Sequence, residues 1–152
     1  MRKLLAGWPL IAISLLVLAT PAFALDYLSV AEPAVLYDAP SAKARQLFVI
    51  ARDTPVERVV IVGAWVKVRD SKGDLVWIEK QSLSEKRTLL VRADRAVVRT
   101  AADDNAAVSF EAERDVVLDL VEAAPAVPAG WAKVKHRDGQ SGFVKVAQVW
   151  GL

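Results

Sequence analysis

Few side chains in this sequence could carry out acid–base or metal chemistry. His136 is the only histidine, and it lies between Lys135 and Arg137 beside a predicted turn. A histidine-activated nucleophile or a metal site needs partner groups, and the chain has no cysteine and no second histidine to supply them. His136 is therefore predicted to be a solvated residue of a hairpin.

Carboxylate pairs are the other candidates for catalysis or metal binding. Asp103 and Asp104 could act as acid and base, but they lie in an alanine-rich, turn-like stretch and are predicted to be solvated loop residues. Asp70 and Asp74 frame a glycine-containing turn, yet their spacing is not that of a calcium loop and Lys72 lies between them. We therefore expect no enzymatic activity, no metal ion and no cofactor.

Basic residues near the carboxyl end offer binding chemistry instead. Lys133, Lys135, Arg137 and Lys145 surround the last predicted hairpin, where only Asp138 opposes them. The preceding stretch, residues 103–122, holds seven acidic residues and one arginine. Two interpretations follow: the basic hairpin docks an anionic partner such as a wall polymer or lipid head groups, or neighbouring strands neutralise one another.

The first 24 residues have the order of a Sec-type signal peptide. Arg2 and Lys3 give a positive start, an apolar run covers residues 10–19, and Ala22-Phe23-Ala24 is a small-x-small cleavage site. An uncleaved membrane anchor is the alternative, but the apolar stretch is shorter than a span of roughly 20 residues. Arg2 and Lys3 are two of the 20 basic residues, which leaves 18 basic against 18 acidic, so basicity gives no indication of nucleic-acid binding.

The rest of the chain is an internal repeat. Trp65-Val66-Lys67-Val68 recurs as Trp131-Ala132-Lys133-Val134, at an offset of 66 residues. Upstream the offset is 62, as in Arg52-Asp53 and Arg114-Asp115. The difference is absorbed in one Pro/Ala-rich loop, residues 123–130, and loops tolerate insertions. The chain is therefore interpreted as a duplication of about 62 residues.

Both copies are predicted to be all-β. Short β-branched and apolar segments mark the strands, and no segment after residue 24 has a sustained helical period. Asp138-Gly139 is a strong hairpin signal because glycine accepts the positive φ of tight turns. Single 3₁₀ turns are expected at residues 81–83 and 147–149. The predicted strands are 34–37, 55–62, 65–69, 76–78, 87–92, 96–99, 116–121, 131–135 and 143–146.

Aromatic residues that recur in both copies are predicted to lie in the core. Trp65 and Trp131 begin equivalent strands, and a large aromatic residue kept in both copies is more often a core anchor than a ligand contact. Trp77 and Phe143 are equivalent in the same way and are interpreted alike.

Three other residues are candidates for ligand contact. Tyr37 in the first copy is replaced by Arg99 in the second, and a position that exchanges these residues is predicted to be at the surface, where both either stack on sugars or peptides or merely belong to a solvated strand. Trp150 lies outside the best-matched part of the repeat. It is either a plug for an open barrel end or an exposed anchor.

The ordered motifs resemble the bacterial SH3-like (SH3b) domain family. Residues 35–41 and 97–102 resemble its "N-V-R-S-G-P-S" strand and turn, and 63–68 and 130–134 its "G-W-x-K-V" strand. Residues 76–78 and 142–144 resemble its closing "G-W-V". Departures are Val76 in place of the closing glycine, Ala39 and Ala101 where glycine is common, and Ala102 where proline is common. Ligand type is therefore not transferred from the family.

The resemblance implies two tandem SH3-like barrels, each of five or six strands, used for binding and frequently at the cell wall. The domains are expected at residues 25–86 and 87–152, after a signal peptide at 1–24. The predicted function is a non-catalytic periplasmic binding module for peptidoglycan or a wall-associated peptide, with no membrane span after cleavage. The alternative is a structural, protein–protein interaction module of an envelope complex. The short linker at residues 82–87 predicts that the two barrels contact each other.

Export makes a direct prediction about mass. Protein produced in a bacterium and recovered from its periplasm should begin at Leu25, because signal peptidase cleaves after the small residue that ends the motif. Intact-mass spectrometry checks this outcome. A product that retains residues 1–24 and stays with the membrane fraction would favour the anchor instead.

Overall fold

The structure, a computed structural model, describes residues 25–152, and the predicted signal peptide lies outside them. Strands of the first module are β1 Tyr27–Val30, β2 Ala34–Tyr37, β3 Gln46–Ile50, β4 Pro55–Val62, β5 Trp65–Arg69, β6 Leu75–Glu79 and β7 Leu83–Ser84. Strands of the second are β8 Thr88–Val91, β9 Arg95–Arg99, β10 Val108–Glu113, β11 Val117–Glu122, β12 Trp131–Lys135, β13 Ser141–Lys145 and β14 Val149–Trp150. A 3₁₀ turn precedes the last strand of each module, at Lys80–Ser82 and Val146–Gln148.

The two modules have the same topology. The first sheet runs β3-β2-β6-β5-β4-β1-β7, and the second runs β10-β9-β13-β12-β11-β8-β14, which is the same order strand for strand. The strand pairs in both sheets are antiparallel. The all-β prediction and the tandem repeat are therefore confirmed. Each sheet has seven strands instead of the five or six expected, because short two-residue strands, β7 and β14, close the modules.

Each sheet curls around its own core. Strands alternate buried and outward residues, as in β5, where Val66 and Val68 are buried while Trp65, Lys67 and Arg69 are half-buried. The buried residues form two separate clusters, one for each module. Since the neighbouring strands of one sheet supply the whole cluster, the sheet must bend to bring them together.

The Arg-Asp pair that recurs in the repeat forms the same turn twice. Asp53 and Asp115 have φ angles of 62° and 68°, a left-handed conformation that aspartate tolerates better than most residues. Their backbone N–H groups donate to the carbonyls of Val30 and Val91, at 2.8 and 2.9 Å. The turn therefore fixes the start of β4 and β11 against the first strand of each module.

The predicted strands and 3₁₀ turns are confirmed, with shifts of one or two residues at their ends. Five strands that we did not predict are present. They are β1, which lies next to the proposed cleavage site, the two-residue strands β7 and β14, and the equivalent edge strands β3 and β10. In β3, four of five residues are exposed, so the strand lacks the regular alternation of a half-buried strand. Among residues 25–152, no helix is long and apolar enough to cross a membrane.

Close packing at Gly142 predicts a measurable cost for a small substitution. A Cβ atom there would lie 2.4 Å from the carbonyl oxygen of Arg99 and 2.8 Å from a methyl group of Val98. Gly142→Ala should therefore lower the free energy of unfolding by about 1–3 kcal/mol, because β13 must move away from β9. Ser141→Ala, at the exposed neighbouring position, should change it by less than about 0.5 kcal/mol. Urea denaturation of both variants checks this; equal stabilities would contradict the packing argument.

Candidate functional site

The outer surface of strands β2, β6 and β5 carries a cluster of large aromatic residues. Tyr37 and Trp77 are direct Cα partners across β2 and β6, and Lys67 is the Cα partner of Trp77 across β5. Trp65 is two residues before Lys67, so its side chain lies on the same face. We call Tyr37, Trp65, Lys67 and Trp77 the aromatic face.

Tyr37 lies beneath Trp65 in the aromatic face and is not an exposed contact residue. Its ring meets that of Trp65 edge to face, with centroids 5.2 Å apart and an interplanar angle of 87°. Only 9% of Tyr37 is exposed, which corrects the surface position predicted from its exchange with arginine. Arginine can replace tyrosine at this position because the side chain points away from the core. Tyr37 is nevertheless buried, because Trp65 covers it.

The tryptophans of the first module are more exposed than the sequence predicted. Trp65 and Trp77 were predicted to be core anchors, yet both are half-buried and neither belongs to the core cluster. The core positions of their strands are taken by Val66, Val68 and Ile78, which are almost fully buried. The alternation within β5 and β6 could have shown this, since it places each tryptophan opposite these aliphatic residues.

A groove beside Trp65 gives the aromatic face the shape of a binding site. The groove has a volume of about 670 Å³ and is lined by Ala64, Trp65, Glu79, Lys80 and Gln81. The ammonium of Lys67 lies 5.7 Å from the centroid of the Trp77 ring, so one end of the face is cationic. An aromatic wall with charged and amide groups at its rim suits a ligand that has a flat apolar side and polar substituents, such as a sugar ring or a short peptide.

The equivalent face of the second module is occupied by its own side chains. Arg99 takes the position of Tyr37, and its guanidinium donates to the carbonyl of Ala106 at 2.7 Å. Lys145 lies 5.7 Å from the centroid of the Trp131 ring and forms an ion pair with Asp104 at 2.6 Å. The cavity bounded by these residues is only about 110 Å³, and a second cavity, of about 380 Å³, is lined by Trp131 together with Gly130 and Val146, the equivalents of Ala64 and Lys80. Trp131 and Phe143, which were also predicted to lie in the core, are half-buried on this outer surface.

The basic hairpin is built beside an acidic strand. Lys135 is the Cα partner of Asp119, and Lys133 is the Cα partner of Glu122 in β11. Lys145 is paired with Asp104, as described above. Of the four basic side chains, only Lys145 has a carboxylate within 4.0 Å in the described part of the chain, and Arg137 is exposed at the turn. The register places Lys133 and Lys135 opposite acidic residues, which favours charges that offset one another, and docking of an anion stays a prediction.

The histidine has a local structural role. The Nδ1 atom of His136 lies 3.0 Å from a carboxylate oxygen of Asp138, and its ring centroid is 6.0 Å from that of Phe110. The pKa of Asp138 is lowered, mainly by the backbone N–H of Gln140 and also by His136. Both contacts stabilise the turn of the last hairpin.

The acidic pairs have similar turn roles. Asp70 is buried, and its Oδ1 atom accepts hydrogen bonds from the backbone N–H groups of Lys72 and Asp74, at 2.9 and 2.8 Å. Asp103 accepts from the backbone N–H of Asn105 at 2.6 Å. Within residues 25–152, no group of three or more His, Cys, Asp or Glu side chains is placed to hold a metal ion.

Trp150 lies between the two modules. Its ring meets that of Tyr27 from the first module edge to face, with centroids 5.1 Å apart. The guanidinium of Arg87 lies 5.8 Å from the Tyr27 ring centroid and donates to the carbonyl of Gly151 at 2.9 Å. Trp150 is half-buried in this contact, so it is neither the barrel plug nor the exposed anchor that the sequence left open.

Polar groups complete the contact between modules. Lys86 lies 3.1 Å from Asp53 of the first module and 2.9 Å from Asp119 of the second. The hydrogen bond with Asp119 is the main reason why the pKa of Lys86 is raised. The hydroxyl of Thr88 donates to the carbonyl of Asp53 at 2.7 Å. The sequence predicted that the modules touch, but it did not identify Tyr27, Lys86 or Thr88.

Comparison with known families agrees with this duplicated architecture. The sequence model of the bacterial SH3 domain matches the chain twice, over residues 30–85 and 92–151. The chain belongs to the bacterial SH3 domain family. Bacterial SH3 domains are binding modules, which accords with two outer surfaces built on one scaffold. A comparison with curated proteins finds no match.

Several solved structures are similar to the chain. NlpC1 from Trichomonas vaginalis is 14% identical with a TM-score of 0.38, over 91% of this chain and 50% of that one. NlpC2 from the same organism is 13% identical with a TM-score of 0.36, over 84% and 48%. An NlpC/P60 endopeptidase from Photobacterium damselae subsp. piscicida is 14% identical with a TM-score of 0.36, over 83% and 33%. The chain therefore spans half or less of the length of these proteins.

Burial of Tyr27 between the modules predicts a loss of stability in alkali. Desolvation, followed by the nearby charge of Glu57, raises the pKa of Tyr27 above its ordinary value near 10. The folded state thus holds the phenol proton more tightly than the unfolded state. Its contribution to stability is complete below pH 10 and is lost as the pH rises through the folded pKa.

Thermal unfolding at several pH values checks this. The wild-type melting temperature should fall above about pH 10, and Tyr27→Phe should show a shallower fall because it has no phenol to ionise. The melting temperature of the variant below pH 9 serves as its reference. Identical slopes for the two proteins would contradict the assignment to Tyr27.

Proposed function

We propose that the chain is an exported, non-catalytic binding protein, and that its first SH3 module holds a cell-envelope ligand on the aromatic face. The proposed ligand is peptidoglycan or a wall-associated peptide, and the proposed location is the periplasm. Support for export comes from the charge, apolar run and Ala-x-Ala order of residues 1–24. Neither nucleic acid nor a cofactor has a part in this proposal.

One difference between the modules carries the proposal. The two sheets have the same strand order, yet the groove beside Trp65 is about 670 Å³, while the equivalent cavity beside Gly130, Trp131 and Val146 is about 380 Å³ and a further one beside Trp131 and Lys145 is about 110 Å³. In the second module, Lys145 and Asp104 pair with each other at that position. A ligand could therefore stack on Trp65 without first displacing an ion pair, whereas on the Lys145 side of Trp131 it would have to break one.

The aromatic face also favours stacking over simple charge attraction. Lys67 and Lys80 contribute positive charge, but Glu79 is directly opposite Trp65 across β5 and β6, so the surface is mixed in sign. Bound sugars and peptides lose little affinity with salt when aromatic contacts dominate, while charge-driven binding weakens as salt screens the charges. Retention that survives salt is thus the expected behaviour.

Co-sedimentation of the processed protein with purified peptidoglycan across a salt series tests the proposal. Trp65→Ala should weaken retention about tenfold, since aromatic stacking contributes about 1–1.5 kcal/mol. Trp131→Ala, the same substitution at the equivalent position of the second module, is the matched control and should change retention less than twofold. Thermal unfolding of both variants separates loss of binding from loss of folding, because Trp65 also packs on Tyr37.

Other results would contradict the proposal in different ways. Equal losses in the two variants would remove the assignment to the first module. Retention that falls steeply with salt, and is abolished by Lys133→Glu with Lys135→Glu, would move the site to the basic hairpin. No retention at all would exclude peptidoglycan as the ligand and would favour a protein–protein interaction module of an envelope complex.

A further inference from the structure

The edge strand of the first sheet carries three consecutive exposed apolar residues. Strand β3 is the terminal strand of that sheet and pairs only with β2. Its three central residues are all exposed: 38% of Leu47, 45% of Phe48 and 66% of Val49. No residue of Gln46–Ile50 is charged. Within residues 25–152, an edge strand of this kind offers both unpaired backbone groups and apolar side chains to another strand.

The second module shows how the same edge can be protected. Its edge strand β10 carries Glu111 at the position of Val49, and Glu111 pairs with Arg95 at 3.2 Å. Ser109, at the position of Leu47, donates to the carbonyl of Ser141 at 2.8 Å and so ties the edge to β13. Charges at an edge strand are a common protection against pairing with other chains, and β3 lacks them.

The core-facing side of the two edge strands, β3 and β10, also differs between the modules. Phe48 and Phe110 are equivalent residues, and both are on the side of their strand that also carries a buried core residue, Ile50 or Ala112. Phe110 is packed against the second core and against His136. Phe48 is 45% exposed and is not part of the packing around the first core. The first sheet therefore leaves this apolar residue exposed, whereas the second sheet covers the equivalent residue.

A second copy of this chain fits the open edge. Antiparallel pairing around a two-fold axis at Phe48 would place Phe48 opposite itself and Leu47 opposite Val49 of the other copy, so that apolar residues meet on both faces. The charged residues nearest the strand are neutralised within each copy, because Arg45 pairs with Asp38 at 3.3 Å and Arg52 pairs with Glu32. Arg45 of one copy would lie near Arg52 of the other at each end of the paired segment, and each of these arginines is offset by the carboxylate of its own copy.

We propose that two copies of the protein associate through their β3 strands, paired antiparallel about Phe48, to form one continuous sheet across the dimer. This interface uses an edge of the first module and leaves the outward aromatic rings of β5 and β6 outside the paired strand. The proposal does not depend on the identity of the envelope ligand.

Sedimentation equilibrium of the processed protein over a concentration series tests the dimer. The wild-type protein should approach twice its monomer mass. Val49→Glu, which copies the residue of the protected edge, should raise the dissociation constant of the dimer by about tenfold or more, since it places a charge in an apolar strand pair on both copies. Val108→Glu, at the exposed start of the second module's edge strand, is the matched control and should leave the dimer unchanged. Circular dichroism confirms that both variants fold.

A single introduced cysteine tests the two-fold axis itself. The chain has no cysteine, so Phe48→Cys would carry only one thiol. Residues directly opposite each other in an antiparallel pair have Cα atoms about 4.5–5.5 Å apart, within reach of a disulfide. Mild oxidation should therefore link Phe48→Cys into a covalent dimer and leave Val108→Cys unlinked. A wild-type protein that is monomeric throughout, a dimer that survives Val49→Glu, or equal cross-linking of the two cysteine variants would overturn the proposal.

Discussion

Each module has to enclose its own core with a single sheet, because no helix or second layer of the described chain covers it. The consequence is a strict division of residues along every central strand. Small and branched aliphatic side chains such as Val66, Val68 and Ile78 point inward, where the curled sheet leaves little room. The larger aromatic and charged side chains must then point outward. This constraint is why none of the four tryptophans in the described part of the chain is almost fully buried.

Duplication lets the inward and outward residues change independently. The strand order and the Arg-Asp turn are common to both modules, so the scaffold has the same shape in each. On that scaffold, Tyr37 has become Arg99 and Val49 has become Glu111 without any change of topology. The first module has apolar surface at its aromatic face, at its edge strand and in the second half of β4, where Val59, Val60, Ile61 and Val62 are exposed. At the first two of these places the second module has ion pairs and a hydrogen bond.

Much of the fold follows from local sequence, and much of the site does not. The repeat, the hairpin at Asp138-Gly139 and the outward alternation of β5 are properties of short segments, which is why the strands could be predicted. The burial of Tyr37 is different, since it depends on Trp65 from a strand that is distant in sequence. The same is true of β3, whose exposed residues give no alternation and whose status as an edge is a property of the whole sheet.

The contact between the modules is also a product of tertiary structure, and it bears on how the protein could bind. Tyr27 and Thr88 occupy equivalent positions of the repeat. Tyr27 is the Cα partner of Glu57 in β4, and Thr88 is the Cα partner of the equivalent residue, Asp119, in β11. Tyr27 packs on Trp150 of the second module, and Thr88 bonds to Asp53 of the first. The same position of the repeat therefore contributes to the contact from each module. With Lys86 paired to both modules, the two outer faces are held in one arrangement, and a long ligand that reached beyond the aromatic face would meet the second module in a defined position.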